Sequence, residues 1–266
     1  PMVAAPPAML LASAPPLSGQ AETVQLRAGH LIDPGTGSVT HDRSLTIVDG
    51  KIVADEGWRG PNVGARLIDW SGKWVLPGLI DMHTHVADGI GQTDDPAEPL
   101  KHREAATILH GAEKARITLH AGFTTVRDVG VYRGLTDVAL RDAIAAGRVE
   151  GPRMFVSGGY ITIPGGGGAV TGAKPGTVIG PEFRIGEART PEEARQRVRA
   201  MIGGGADFIK LIATGAVLAV GSEPGADASE VFARVEKCGA VLGWMIEIGD
   251  DDVVLKVFPD LIEEQC

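Results

Sequence analysis

Residues 76–85 read Leu-Pro-Gly-Leu-Ile-Asp-Met-His-Thr-His, and this stretch decides the expected fold. A near-continuous apolar run from Trp74 to Leu79 leads into it, which indicates a buried strand that ends in the two histidines. Side chains two residues apart on a strand point to the same side of the sheet. We therefore expect His83 and His85 to present two imidazoles together at the carboxyl end of this strand.

The histidine pair is a candidate metal site, because imidazole is a good ligand for Zn and similar divalent cations. Two histidines at this spacing also arise by chance, and the bare motif favours that interpretation. The position directly after an apolar strand favours metal binding instead, because the active sites of βα barrels lie at the carboxyl ends of the strands.

Lys210 is the second candidate, within the apolar segment Phe208–Ala213. Lysine is rarely buried without a partner, and the simplest interpretation is a strand-end residue whose ammonium group reaches water. Burial would disfavour the charged form. A neutral amine can add carbon dioxide and become a carbamate, whose two oxygens could bridge two cations, and a nearby metal site favours this second interpretation.

Strand and helix patterns alternate around these residues. Repeated alternation with apolar strands predicts a parallel sheet and suggests a βα barrel. The third helix has a strong start, with Thr190 as N-cap, Pro191 at the first helical position and a glutamate that closes a capping box. The predicted strands are Phe123–Val126, Met154–Ser157 and Phe208–Ala213, and the predicted helices are Glu104–His120, Leu135–Ala146 and Pro191 to about Ile202.

Residues 22–73 predict a small β module, with a hairpin at Asp49-Gly50 and a further strand over Arg66–Trp70. Residues 1–21 form an Ala/Pro-rich leader. One interpretation is the remnant of a secretory signal, which predicts an exported protein, periplasmic or secreted. The other is a disordered Pro-rich leader, which leaves a cytoplasmic location open.

Composition excludes several classes of protein. The 266 residues include 25 Lys and Arg against 34 Asp and Glu, for a net charge of −9. With no basic cluster, a nucleic-acid partner is not expected. Two cysteines are too few for a disulfide scaffold or a Cys-rich zinc site. No apolar run reaches the roughly 18 residues that span a bilayer, so a membrane partner is not expected either.

Three separated segments resemble the amidohydrolase superfamily. Residues 76–85 are similar to its first barrel strand with the metal motif, and residues 121–128 are similar to its second strand. Asp207–Lys210, followed by Ala213-Thr214-Gly215, resembles the fourth strand with a carboxylated lysine. The resemblance covers about residues 22–225. It is closest to imidazolonepropionase-like and Xaa-Pro or Xaa-Arg dipeptidase-like members.

The resemblance implies an α/β fold: a partial (β/α)8 TIM-type barrel over residues 74–225, preceded by a small β-sandwich module over residues 22–73. It implies a hydrolase that needs a divalent metal, with Zn expected and two ions in a complete site. His83 and His85 would hold one ion, and Lys210 as a carbamate would bridge to the second. A metal-activated hydroxide would then break the C–N bond of a small-molecule amide or dipeptide-like substrate.

The chain departs from the family pattern after Lys210. The last histidine is His120, so the two later histidine ligands have no candidate, and the aspartate of the eighth strand has no counterpart. We therefore assign no catalytic or substrate-binding residue. Only 266 − 210 = 56 residues follow Lys210, whereas four more strand–helix units at roughly 30 residues each need about 120. Residues 226–266 are expected to be a divergent, solvated acidic tail of a truncated or altered amidohydrolase.

Two alternative functions stay open. One is a cyclic-amide hydrolase of the imidazolonepropionase type. The other is an inactive fragment that lacks the later ligands and binds metal weakly or assembles with a partner. A homo-oligomer is compatible with the sequence.

Three further features are expected near the site. Asp81 would either orient a ligating histidine as a second-layer carboxylate or support the strand end. Arg127 and Asp128 end the second strand, where a structural ion pair is the expected role and substrate contact is the alternative. The glycine-rich segment Pro164–Gly172 is expected to be a mobile loop at the mouth of the site, because no helix N-terminus follows closely to make a phosphate cradle.

Overall fold

The computed structural model describes residues 23–88 and 97–212, together with the backbone of Val253–Leu255. The chain divides into two compact units between Pro77 and Gly78. The expected leader, residues 213–215 and the acidic tail apart from Val253–Leu255 lie outside the described residues. No helix among the described ranges is long and apolar enough to cross a membrane.

The first unit contains a four-stranded sheet in the order β3-β2-β1-β4. β2 pairs antiparallel with both β1 and β3, whereas β4 runs parallel to β1. Over residues 23–77 this is the one sheet present, so the second layer of a sandwich stays a prediction. The strands are β1 Thr23–Asp33, β2 Ser38–Val48, β3 Lys51–Gly57 and β4 Arg66–Val75.

Tight turns connect the first three strands. The hairpin at Asp49-Gly50 is confirmed: both residues have positive φ, 49° and 73°, as a two-residue turn that fits the twist of a hairpin requires. A second turn, between Asp33 and Ser38, was not predicted because residues 40–44 of β2 are polar and interrupt the apolar alternation. The Asp33 carboxylate accepts a hydrogen bond from the Gly35 N–H at 2.9 Å and closes this turn locally.

The second unit alternates strands with helices. β5, β6 and β7 form a parallel sheet, and β8 pairs parallel with β9. β10 joins β9 antiparallel, so this sheet is mixed. The fold class of mixed α/β is therefore confirmed. The elements are β5 Leu79–Thr84, α1 Glu98–Lys101, α2 Glu104–His120, β6 Phe123–Asp128, α3 Thr136–Ala145, β7 Arg153–Val156, β8 Tyr160–Ile161, α4 Pro191–Gly203, β9 Ile209–Leu211 and β10 Val253–Leu255, with a short 3-10 turn at Pro181–Phe183.

The apolar run before the histidines is divided between the two units, so the prediction of one strand from Val75 to the histidine pair is wrong. β4 ends at Val75 and β5 begins at Leu79. Pro77 lacks the N–H that a continuous ladder would use. Gly78 follows because a Cβ there would overlap the side chain of Thr124.

Two apolar clusters hold the strands of the second unit in place. One packs α2 and α3 on β6 and β7, with Leu140, Val126 and Val156 fully buried. The other packs α4 on β8 and β9, through Met201 and Ile161 among others. The predicted N-cap of α4 is confirmed, since the Thr190 hydroxyl accepts from the Glu193 N–H at 3.2 Å. The clusters thus fix the strand ends that carry polar residues.

Candidate metal site and its relatives

His83 and His85 lie together at the end of β5. His83 is exposed and His85 is half-buried, and their ring centroids are 5.5 Å apart with the planes inclined at 68°. Two imidazoles that bind one cation through bonds of 2.0–2.1 Å at tetrahedral angles have centroids about 5 Å apart. The pair therefore has a spacing that suits a shared divalent cation.

His85 is anchored from the side of Nδ1. This nitrogen lies 3.0 Å from the Gly130 carbonyl oxygen and 3.1 Å from the Tyr160 hydroxyl. Because a carbonyl only accepts, Nδ1 carries the proton and donates to Gly130. The lone pair of the neutral ring is then on Nε2, which is the form of histidine that coordinates a metal.

Asp128 fixes the chain on both sides of His85. Its Oδ1 accepts hydrogen bonds from the Thr84 hydroxyl at 3.0 Å and from the Val86 N–H at 2.6 Å. Its Oδ2 accepts from the Ala87 N–H at 3.3 Å. Asp128 thus holds the backbone around His85, a role that the sequence analysis did not predict.

Two other residues support the strand end by their backbone contacts. The Asp81 carboxylate accepts from the His83 N–H at 3.0 Å, which agrees with the second of its two expected roles. The Arg127 guanidinium donates through Nε to the Met82 carbonyl at 2.6 Å. Both side chains therefore hold the backbone that presents the imidazoles.

A group of buried carboxyls lies around this segment. Burial raises the pKa of Asp128 to about 8 and that of Asp88 to about 7, and the negative charge of Asp137 adds to both shifts. Burial also raises the pKa of Asp137 to about 6. Asp88 accepts from the Tyr132 N–H and Asp137 from the Gly158 N–H, each at 2.8 Å. Sequence reasoning missed Asp88 and Asp137; the signal was their position just after a strand end and at a helix start.

Lys210 lies in the middle of β9 and is 1% exposed. Its Cα pairs in register with Tyr160 on the parallel strand β8. Residues in register on neighbouring strands point to the same face of the sheet. Tyr160 therefore stands between the two predicted parts of the site: it shares a face with Lys210, and its hydroxyl meets His85.

The residues that the structure describes supply only part of a metal site. Over residues 23–88 and 97–212, no group of three or more His, Cys, Asp or Glu side chains could hold a metal ion. The histidine pair supplies two nitrogens of suitable spacing, and a carbamate on Lys210 is a donor of another type. The residues present therefore fit the first half of the expected ligand set.

The glycine-rich segment packs inward. Gly166, Gly167, Gly168, Ala169 and Val170 are buried. A Cβ on Gly168 would lie 2.5 Å from the Cβ of Tyr160, so the segment packs closely on that residue. This differs from the expected mobile loop, because glycines permit close backbone approach as well as flexibility.

The remaining histidines of the second unit lie on the surface. His102 and His120 bond the carboxylates of Glu98 and Glu150, at 2.9 and 3.0 Å, and His110 is exposed on α2. All three residues are exposed.

Residues 74–233, more than half of the chain, match the amidohydrolase family. The chain belongs to this family. A similar solved structure is that of a Xaa-Pro dipeptidase with methionine bound in its active site. It is 30% identical with a TM-score of 0.66, over 81% of this chain and 55% of the dipeptidase.

Curated relatives of this amidohydrolase include two differently named hydrolases. The ochratoxinase of Aspergillus niger is 27% identical over 222 residues, which are 77% of this chain and 45% of the relative. The dihydroorotase of Pelotomaculum thermopropionicum is 43% identical over 63 residues, 24% of this chain and 14% of the relative. The chain thus spans less than half the length of either curated relative.

Proposed function

We propose that this amidohydrolase is a metal-dependent enzyme that hydrolyses the C–N bond of a small amide or dipeptide-like substrate. The observation that carries the proposal is the His83–His85 pair at the carboxyl end of β5, with centroids 5.5 Å apart and with His85 held in the tautomer that a cation needs. Membership of the family and the likeness to a Xaa-Pro dipeptidase support the reaction class.

We also propose a specific fold for each of the two units. β5 to β9 with their connecting helices are the first part of a (β/α)8 TIM-type barrel, and the first unit belongs to a small β-sandwich. Support comes from the successive parallel β-α-β connections and from the likeness to the dipeptidase over 81% of the chain. In such a barrel the carboxyl ends of β5, β6 and β9 face one mouth.

His83, His85 and carboxylated Lys210 are the proposed metal ligands. A divalent ion in this place, Zn in the first instance, would polarise the scissile carbonyl and lower the pKa of a bound water. Burial disfavours the charged form of a lysine, and the neutral amine of Lys210 adds carbon dioxide. The N–C bond of the carbamate forms, one proton leaves to solvent, and two oxygens become available as donors.

The protein's own groups position this site. Gly130 holds the proton of His85 on Nδ1, Asp128 fixes the chain around that residue, and Asp81 holds the His83 backbone. The group that would deliver a proton to the leaving amine is not assigned among these residues. Their part is to hold the two imidazoles at a constant spacing before substrate arrives.

Metal content and activity test the proposal together. The purified chain is loaded with Zn, analysed for bound metal, and assayed on a panel of Xaa-Pro dipeptides with and without a chelator. We expect bound Zn and chelator-sensitive hydrolysis, both abolished in His83→Ala. His102→Ala is the matched control, because the exposed His102 ring bonds the surface carboxylate of Glu98, while its carbonyl, which the substitution keeps, accepts from Arg133. Metal binding that is equal in wild type and His83→Ala would refute the proposed site.

A cyclic amide is the second candidate substrate. The local match to a dihydroorotase, 43% identical over 63 residues, favours including dihydroorotate in the same panel. Hydrolysis of the ring without cleavage of the linear dipeptides would select this alternative. Less than one tightly bound metal per chain and no hydrolysis of either class would instead identify the chain as an inactive fragment.

A further inference from the structure

Tyr160 occupies an unusual place for a residue that the sequence analysis did not single out. It is 6% exposed, begins β8 and pairs in register with Lys210. Its hydroxyl lies 3.1 Å from Nδ1 of His85, a residue 75 positions earlier in the chain. One side chain thus reaches from β8, the strand beside that of Lys210, to His85.

Glycines hold the Tyr160 ring in this place. Gly130 has φ +137°, and a Cβ there would overlap the ring. A Cβ on Gly168 would lie 2.5 Å from the Tyr160 Cβ, and one on Gly186 would overlap the Tyr160 carbonyl. Backbone therefore lies close to the side chain at Gly130 and at Gly168, so the ring has little room for another rotamer.

The contact between Gly130 and the Tyr160 ring also positions the Gly130 carbonyl, which sets the tautomer of His85. The Gly130 backbone packs on the Tyr160 ring, and the Gly130 carbonyl accepts the Nδ1 proton of His85. With the proton on Nδ1, the Tyr160 oxygen faces an N–H and is a second acceptor. Ring packing and hydroxyl thus act in the same direction, toward a lone pair on Nε2.

We propose that Tyr160 is a positioning residue for His85, which holds the ring in the orientation and tautomer that a divalent cation requires. The inference rests on the proposed function, because it needs His85 to be a metal ligand. Groups that hold the second nitrogen of a ligating histidine typically change metal affinity by 10–100-fold when removed. We therefore expect Tyr160→Phe, which keeps the ring and removes the oxygen, to weaken Zn affinity about tenfold.

Zn affinity is measured by competition with a chromophoric chelator, for wild type, Tyr160→Phe, Tyr132→Phe and His83→Ala. Tyr132 is the matched control: its ring lies 5.4 Å from that of Tyr160, and its described hydrogen bond to Asp88 uses the backbone N–H, which the substitution keeps. We expect less than a twofold change in the control. The apo proteins are compared by 1H–15N NMR of the imidazoles, where Tyr160→Phe should lower the Nδ1–H fraction of His85 and Tyr132→Phe should not.

A second perturbation keeps the Tyr160 oxygen and changes its strength as a hydrogen-bond acceptor. The chain contains two tyrosines, so expression of Tyr132→Phe with difluorotyrosine labels residue 160 alone. Fluorination makes the phenol oxygen a weaker acceptor, and we expect weaker Zn binding than in unlabelled Tyr132→Phe. This comparison holds even if Tyr160→Phe fails to fold.

The outcomes separate the two proposals. If His83→Ala loses Zn binding while Tyr160→Phe and the fluorinated protein bind as tightly as their controls, or more tightly, the positioning role is refuted and the metal site stands. If His83→Ala still binds Zn like wild type, the proposed function fails, and this inference fails with it.

Discussion

Gly130→Ala is the substitution that most directly tests how the candidate site is held. Gly130 has φ +137°, a conformation that residues with a Cβ rarely adopt, and the new methyl group would overlap the Tyr160 ring. The Gly130 carbonyl is also the acceptor of the His85 Nδ1 proton. The change therefore strains the backbone, displaces Tyr160 and disturbs the orientation of His85 at once.

The expected cost has two parts. The backbone conformation costs about 1–3 kcal/mol for a residue with a side chain. Overpacking against a buried ring costs a further 1–3 kcal/mol, roughly. We expect a total loss of about 4 kcal/mol, which lowers the Tm by about 8–16 °C at roughly 2–4 °C per kcal/mol for a domain of this size.

Gly147→Ala is the matched control. Gly147 also has positive φ, +68°, but a Cβ there meets nothing within 4 Å, so this variant carries the backbone cost of about 1–2 kcal/mol alone. Thermal unfolding by circular dichroism gives both Tm values. The double variant Gly130→Ala with Tyr160→Ala should lose less stability than the sum of its single variants, because the clash is then absent. Equal Tm losses for Gly130→Ala and Gly147→Ala would refute the packing of Tyr160 on Gly130.

Three further substitutions test the surroundings of the site. Asp137→Asn should reduce the pH dependence of stability. Burial raises the pKa of Asp137 to about 6, so the folded chain holds a proton that the unfolded chain loses, and this group alone lowers the free energy of unfolding by about 3 kcal/mol between about pH 4 and 6. Urea titrations from pH 4 to 7 measure this, and an unchanged slope in the variant contradicts it. Thr162→Val should raise the free energy of unfolding by about 1 kcal/mol, since the buried Thr162 hydroxyl has no hydrogen-bond partner among the described residues; a lower Tm would mean that the hydroxyl is bonded. Asp128→Ala should cost about 2–4 kcal/mol and speed hydrogen exchange at the Val86 and Ala87 amides, because both lose their acceptor; unchanged exchange at these amides would exclude the role of Asp128.

Local patterns in the sequence predicted the parts of the fold that depend on neighbouring residues. The Asp49-Gly50 turn follows from two residues that tolerate positive φ, and the α4 start follows from a cap formed within four residues of Thr190. The turn after Asp33 was not predicted because residues 40–44 of β2 are polar and interrupt the apolar alternation. The break at Pro77 shows that an apolar run does not ensure strand continuity. It does not ensure burial either, since Leu79 and Ile80 are 45% and 62% exposed.

The candidate site also has one part that local sequence predicts and another that depends on distant residues. His83 and His85 are neighbours in the chain, so their common face follows from the period of a strand, and the structure brings their rings together. The contacts that hold His85 come from Asp128, Gly130 and Tyr160, between 42 and 75 residues away from the groups they bond. The two-residue period of a strand predicts which face of the sheet a side chain occupies. It does not predict which residues from distant strand ends contact that side chain. Only the tertiary structure supplies these partners.

The high glycine content is visible in the sequence, but its role is visible only in the tertiary structure. The sequence has 37 glycines, about double the usual share, which indicates close backbone approaches without locating them. Three of these close approaches are to Tyr160, whose side chain or backbone leaves no space for a Cβ at Gly130, Gly168 and Gly186. A large aromatic residue is thereby fitted between the lysine strand and His85. The orientation of His85 thus depends on glycines that have no side chain where Tyr160 packs. The loss of stability in Gly130→Ala therefore measures how strongly this packing holds His85.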